Sequence, residues 1–210
     1  MELIQHDLQV LKKVRYFTLG DPSISHSLLF ILHGYGQLPA FFIKKFEQFA
    51  NEGYYVVAPE GFHRFYLKGS SGRVGASWMT REARLDDIND TSGYLSTLIK
   101  QITHSFSFSK KVLLGFSQGG ATAVRLIENE ACVVDQLILW ASVFPPDCLL
   151  DFKSCSIPKM DFVLGFQDEY FSLEDQLLAI KRYRELGFVT HQFHGKHAVD
   201  LTVLKSLIEI

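Results

Sequence analysis

The feature that most constrains this chain is a series of short, almost purely apolar runs: Leu28 to Leu32, Tyr54 to Ala58, Val112 to Phe116, Leu137 to Ala141 and Phe162 to Leu164. None alternates with polar residues, as a half-exposed strand would. Such runs suit strands covered on both faces, the situation of a parallel sheet. Parallel neighbours need long crossovers rather than tight turns, and the intervening sequence supplies helical patterns. Leu38, Phe42, Phe46 and Phe49 fall on one face of a helix bounded by Pro39 and Gly53. Ile88, Leu95, Leu98 and Ile102 mark a second, with Asp86 and Asp87 near its N-terminus, where the helix dipole favours carboxylates. Ser172 and Asp175 read as the cap of a third that ends near Gly187, and Leu201, Leu204 and Ile208 as a last one. Strand and helix alternate, which predicts an α/β fold with a mostly parallel central sheet flanked by helices.

At 210 residues the chain suits one domain, 1–210. Apolar residues make up 47% and the charged ones 21%, enough to build a core and too apolar for disorder. The formal net charge is −2, and no run of Lys and Arg offers a footprint for a phosphate backbone, which argues against nucleic acid as a partner. The first residues mix charges and lack the apolar stretch of a signal peptide, and no apolar run approaches the roughly 20 residues of a membrane span. Cys132, Cys148 and Cys155 are odd in number and lack CxxC spacing. The expectation is a cytoplasmic protein without membrane insertion, structural metal or cofactor; a homodimer is compatible with the sequence. Residues 62–84 show no clear periodicity and read as a long loop broken by Gly69, Gly72 and Gly75.

The strongest local signal is Gly115-Phe116-Ser117-Gln118-Gly119, set between an apolar strand and a helical segment. A serine on a sharp strand-to-helix turn needs small neighbours, because its backbone is strained and passes close to other elements. The helix behind it aims N–H groups and a positive dipole end at any oxyanion formed there. His33-Gly34-Tyr35-Gly36 follows the first apolar strand, in the position that supplies a second oxyanion N–H. The oxyanion hole is assigned to the backbone N–H groups of Tyr35 and Gln118, and His33 is read as a structural hydrogen-bonding residue. An acid and then a base should follow Ser117 in the chain. Asp168 lies just beyond the strand MDFVLG, and His197 between a strand ending near Phe193 and the last helix. Asp161 and Glu169 compete for the acid's role, His191 and His194 for the base's. Phe62, Phe65, Tyr66, Trp78 and Phe144 are candidates for an apolar acyl pocket, with core packing the competing role for each.

Taken in order, Leu32 to Gly36 (LHGYG), Ala58 to Gly61 (APEG), Ser77-Trp78, Gly115 to Gly120 (GFSQGG), the Asp168 loop and Gly195-Lys196-His197 resemble the phospholipase/carboxylesterase branch of the α/β-hydrolases, the group that includes acyl-protein thioesterases. The resemblance implies hydrolysis of carboxylic esters or thioesters of small molecules, lipids or acylated proteins by a Ser-His-Asp triad, here Ser117, His197 and Asp168, without a cofactor. Two departures bear on the substrate: Leu164-Gly165 stands where His-Gly often precedes the acid, and the segment Ala141 to Leu150 differs from the usual one. The chain leaves no room for a separate lid domain. A ligand-binding protein of the same fold with little turnover, and a peptidase or lactone hydrolase with the same triad, are the alternative readings. Ser117→Ala is expected to abolish hydrolysis of activated esters, by on the order of 10³-fold or more, with the fold intact; more than a tenth of the original rate in the variant would refute the assignment.

Overall fold

The computed structural model describes residues 2–129 and 133–208. Its centre is a sheet of strands β1 (Tyr16–Leu19), β2 (Ser27–Leu32), β3 (Tyr54–Pro59), β6 (Lys110–Phe116), β7 (Gln136–Trp140), β8 (Lys159–Gly165) and β9 (Val189–Phe193), in the spatial order β1-β3-β2-β6-β7-β8-β9. All neighbours are parallel except β1, which runs antiparallel to β3 at one edge. Every residue of β2, β3 and β7 is buried, as strands covered on both faces require. The edge strands β1 and β9 are partly exposed.

The helices fall where the periodicity places them, with one refinement. The segment from Pro39 is not a single helix: α1 (Pro39–Phe42) passes into a 3₁₀ turn (Ile43–Phe46) and then α2 (Glu47–Asn51). Phe42, Phe46 and Phe49 remain on the buried side throughout. α3 (Arg84–Ser105) carries Asp86 and Asp87 in its first turn, and α4 (Gln118–Glu128) starts directly after Ser117. α5 (Leu173–Glu185) opens with a full capping box, since Ser172 accepts from the Asp175 N–H and Asp175 accepts from the Ser172 N–H. α6 (Leu201–Ile208) buries Leu204, Leu207 and Ile208. No separate lid stands over the sheet among the described residues.

Two elements depart from the sequence reading. β1 falls outside the apolar runs, because its alternating exposure reflects an edge position. The expected loop at 62–84 contains an antiparallel hairpin, β4 (His63–Tyr66) with β5 (Val74–Ser77). Its strands are too short to register as periodic, and long-range bonds hold it: the Gly36 N–H donates to Ala76 O at 2.9 Å and the Ala76 N–H to Gln37 O at 3.0 Å. Of the cysteines, Cys132 lies outside the described residues; Cys148 and Cys155 are free thiols, and burial pushes Cys148 up to about 11.

One aromatic cluster anchors α5 to the sheet. Tyr183 stacks on Phe162 of β8 with ring centres 3.8 Å apart, and its hydroxyl donates to Ser142 O at 3.1 Å. Tyr183→Phe is expected to cost about 1 kcal/mol through the lost buried hydrogen bond, and Tyr183→Ala about 3–5 kcal/mol through the cavity it leaves. Chemical denaturation of the two variants measures both; equal losses would assign the stabilisation to the hydroxyl instead of the ring.

Candidate active site

The strand order reverses between β2 and β6: the chain moves from β2 outward to β3, then returns to the other side of β2 as β6. At such a switch point the loops leaving adjacent strands part to opposite faces and open a crevice at the C-terminal edge of the sheet. β2 and β6 run in register, Leu32 opposite Gly115, so His33-Gly34-Tyr35-Gly36 and Phe116-Ser117-Gln118 leave the sheet side by side.

Ser117 sits at φ 53° and ψ −119°, a strained conformation for a residue with a side chain. Its N–H donates to Trp140 O at 2.8 Å, and its own carbonyl accepts from the Gly120 N–H at 2.9 Å. Gly119 permits this turn, because a Cβ there would lie 2.3 Å from Leu32 O. Gly36, at φ +72°, closes a turn in which the Gln37 N–H donates to Gly34 O, while the Gln37 side chain accepts from the Gly34 N–H at 2.9 Å. A Cβ on Gly34 would stand 3.2 Å from the Ser117 Cβ, a measure of how near the loop lies to the serine. Among the described residues, the N–H groups of Tyr35 and Gln118 have no protein acceptor. The Gln118 side chain instead ties the turn to the hairpin, accepting from the Trp78 N–H at 3.1 Å and donating to Met79 O.

Asp168 and His197 are brought together from the ends of β8 and β9. His197 Nδ1 is 2.7 Å from Asp168 Oδ2, and Asp168 Oδ1 accepts from the Tyr170 N–H at 3.0 Å. Asp168 is 3% exposed. The loop carrying His197 crosses directly over the end of β8, since a Cβ on Gly165 would meet Gly195 O at 2.3 Å. The Gly at 165 that follows Leu164 therefore has a packing reason. The His197 ring contacts that of Phe116, the neighbour of Ser117, with ring centres 4.9 Å apart, and that of Tyr170 at 4.5 Å, both tilted. The Trp140 indole donates to Ala198 O at 3.0 Å, so one residue holds both the serine turn and the histidine loop.

The rival residues have other partners. Asp161 is 1% exposed and bonded to Gln136 Nε2 at 2.7 Å and to His191 Nε2 at 2.8 Å. Glu169 accepts from the His197 backbone N–H at 3.2 Å, and hydrogen bonds from its own backbone and then from His197 hold its carboxyl below the ordinary value. His33 is fully buried; its Nε2 accepts from the Gly61 N–H at 3.1 Å, which leaves Nδ1–H to donate to Gly34 O at 2.8 Å. Burial lowers its pKa to about 4, so the ring is neutral and braces the Gly34 loop.

The five aromatics proposed for a pocket are scattered. Phe65 packs on Tyr35 at 5.0 Å, beside the site, and Tyr66 is exposed. Phe62 lies against Tyr94 and beneath Lys12. In place of a pocket wall, Trp78 is a strut: 1% exposed, stacked on His33 and donating to His33 O at 2.7 Å. Phe144 meets Phe152 and Tyr183 edge-on, a packing role. The open volume near the site, about 580 Å³, begins at Gly36 and Gln37 and is walled by other residues, among them Leu38, Phe41, Phe42 and Val74. Sequence reasoning also missed Gln37, Tyr170 and the Trp140 indole, whose roles depend on contacts made only after folding. Among the described residues, no group of three or more His, Cys, Asp or Glu could hold a metal ion, and no helix is long and apolar enough to cross a membrane.

Residues 24–165 match the family model described as serine aminopeptidase, S33. The chain belongs to this family of α/β-hydrolases. The matched stretch contains Ser117 and the His33 loop but ends before Asp168 and His197. No curated protein matches the sequence. Solved structures similar in fold include a carboxylesterase from Mesorhizobium loti (TM-score 0.75, 16% identity, covering 93% of this chain and 94% of that one). Esterase PE8 follows (TM-score 0.71, 20% identity, 94% and 100%). Acyl-protein thioesterase 2 from Zea mays is comparable (TM-score 0.71, 13% identity, 93% and 96%). At these identities the shared property is the α/β-hydrolase fold.

The buried neutral His33 makes stability depend on pH. Its folded pKa of about 4 lies below the ordinary 6.5, so the unfolded chain binds the extra proton between those values and stability falls as pH drops through that window. The expected loss attributable to His33 is about 3 kcal/mol between pH 7 and pH 4. Denaturation curves across this range, with the His33 ring followed by NMR, test it; a His33 ring already protonated at pH 6 would contradict the burial argument.

Proposed function

We propose that the protein is a serine esterase or thioesterase in which Ser117 is the nucleophile, His197 the base and Asp168 its orienting acid. The observation that carries this reading is the 2.7 Å contact of His197 Nδ1 with buried Asp168, on a ring packed against the residue next to a strained serine. With Nδ1–H donated to Asp168, Nε2 is left to accept the Ser117 hydroxyl proton. Ser117 Oγ then bonds to the carbonyl carbon, and the oxyanion accepts hydrogen bonds from the free N–H groups of Tyr35 and Gln118. His197 returns the proton to the leaving oxygen or sulfur, which departs as the acyl-enzyme forms. A water deprotonated by His197 attacks the acyl carbon, and Ser117 recovers its proton as the acid is released.

The substrate in this reading is a small ester or thioester. The family model bears an aminopeptidase's name, but an aminopeptidase must bind a free, positively charged amine. The open volume beside the Gly36 loop is flanked by Lys45 and Arg73, the wrong charge for that task. A non-catalytic ligand binder of this fold is distinguished by labelling with a fluorophosphonate, which modifies an activated serine and leaves an ordinary one untouched.

His197→Ala is expected to lower kcat by on the order of 10³-fold or more, against less than about tenfold for His194→Ala and His191→Ala. His191→Ala is also expected to lose stability, because it strips a partner from buried Asp161. Steady-state kinetics on the three variants decide the base: a crippled His194→Ala beside an active His197→Ala would require the triad to be redrawn.

A further inference from the structure

The volume of about 580 Å³ beside the Gly34–Gln37 loop falls in the size range of small-molecule sites. Its walls are mixed in a specific way. Leu38, Phe41, Phe42 and Val74 supply apolar surface, Lys45 and Arg73 supply two cations, and no lining residue is acidic. Among the described residues neither cation has an ion-pair or hydrogen-bond partner for its side chain, whereas Arg15, Arg64, Arg84 and Arg125 each have a carboxylate. The two come from separate elements, Lys45 from the turn after α1 and Arg73 from the hairpin. The bridge between Gln37 and Ala76 holds those elements together across the volume.

The groove begins at the loop that borders the site. Gly36 and Gln37 belong to both, and Phe42 stacks on Phe116 with ring centres 6.0 Å apart, next to Ser117. Ser117 does not line the groove, so a substrate reaching both would cross the Gly36–Gln37 loop before it meets the apolar residues and the two cations.

We propose that this groove receives a second, anionic group of the substrate, so that the preferred ester or thioester is amphiphilic: a short apolar stretch from the scissile carbonyl, ending in a carboxylate or phosphate held by Arg73 and Lys45. The proposal rests on Ser117 being the nucleophile. Arg73 offers a planar fork that matches either anion, and Lys45 adds a point charge. Both side chains are exposed, so each pairing is screened by salt and the preference depends on ionic strength.

The test reads binding and turnover separately. Titration of Ser117→Ala with monoethyl hexanedioate, with ethyl hexanoate and with an ethyl ester ending in phosphate, followed by NMR, measures affinity without hydrolysis. At least one anionic ester is expected to bind tenfold or more tightly than the neutral one, and the arm that shows the gain identifies the anion. Adding Arg73→Gln and Lys45→Gln is expected to bring the ratio to within about twofold of one, and Arg73→Glu to invert it. In the unmodified protein, the kcat/KM ratio for p-nitrophenyl esters of the same acids is expected to follow the same order and to shrink between 20 mM and about 500 mM salt. Equal affinity for charged and neutral esters, or a preference indifferent to both charge substitutions, overturns the proposal. A retained binding preference in a protein that neither hydrolyses these esters nor labels with fluorophosphonate keeps the anion site and sinks the hydrolase reading.

Discussion

Everything at this site depends on two backbones passing within contact distance where the sheet reverses its order. The turn after β6 lies so close to the end of β2 that a single added carbon on Gly119 would overlap the carbonyl of Leu32, and one on Gly115 would overlap Gly120. Backbone contacts of this kind need glycine on at least one side, which is why GFSQGG is dense in it. The closeness fixes Ser117 in a conformation that an isolated chain would avoid, and the surrounding sheet holds it there. It also sets the serine beside the Gly34 loop, and among the described residues the N–H groups of Tyr35 and Gln118, one at each strand end, have no acceptor. Donors fixed in advance cost no reorganisation when charge develops, the condition for effective oxyanion stabilisation.

The second half of the site is attached to the first through Trp140. Its backbone carbonyl takes the Ser117 N–H, and its indole reaches the carbonyl of the residue after His197. β7 thus lies between the strand that carries the serine and the strands that carry Asp168 and His197, and it gauges their separation. Asp168 is buried, a costly position for a carboxylate, and the cost is offset by bonds from the Tyr170 N–H and the His197 ring. Glu169 fixes the His197 backbone from outside. The imidazole is held at its backbone and at Nδ1 and contacts the rings of Phe116 and Tyr170, while Nε2 has no hydrogen-bond partner among the described residues.

What was legible in the sequence follows the range of the interactions. The central strands announce themselves because burial on both faces removes polar residues altogether, whereas β1 and the β4–β5 hairpin, exposed or very short, leave no such trace. Ser117 is readable because its strained turn is made by neighbours in sequence. Asp168 and His197 could be placed by chain order at two strand ends, yet their pairing is a contact across the sheet. The pocket was not legible: Trp78, Phe144 and Phe65 are alike as aromatics, and only packing decides that the first two are struts and the third stands beside the loop. Lys45 and Arg73 read as ordinary surface charge until the fold sets them on one groove with no counter-ion among the described residues.

The molecule contains its own control for what makes a histidine–carboxylate pair useful. His191–Asp161 and His197–Asp168 have nearly the same separation, 2.8 and 2.7 Å, and each carboxylate is buried. The engaged nitrogen differs, Nε2 in His191 against Nδ1 in His197, but that alone does not decide which pair lies at the crevice. Position does: Asp161 lies near the start of β8, opposite Val189, and shares Gln136 and the end of α6 with its neighbours. Asp168 lies beyond the end of the same strand. The start of a parallel strand faces helix C-termini and closed packing, whereas strand ends feed the loops that part at the switch point and leave a crevice. One pair is therefore a buried tie between β8 and β9, and the other lies at the C-terminal edge of the sheet, the edge from which the strained serine also leaves.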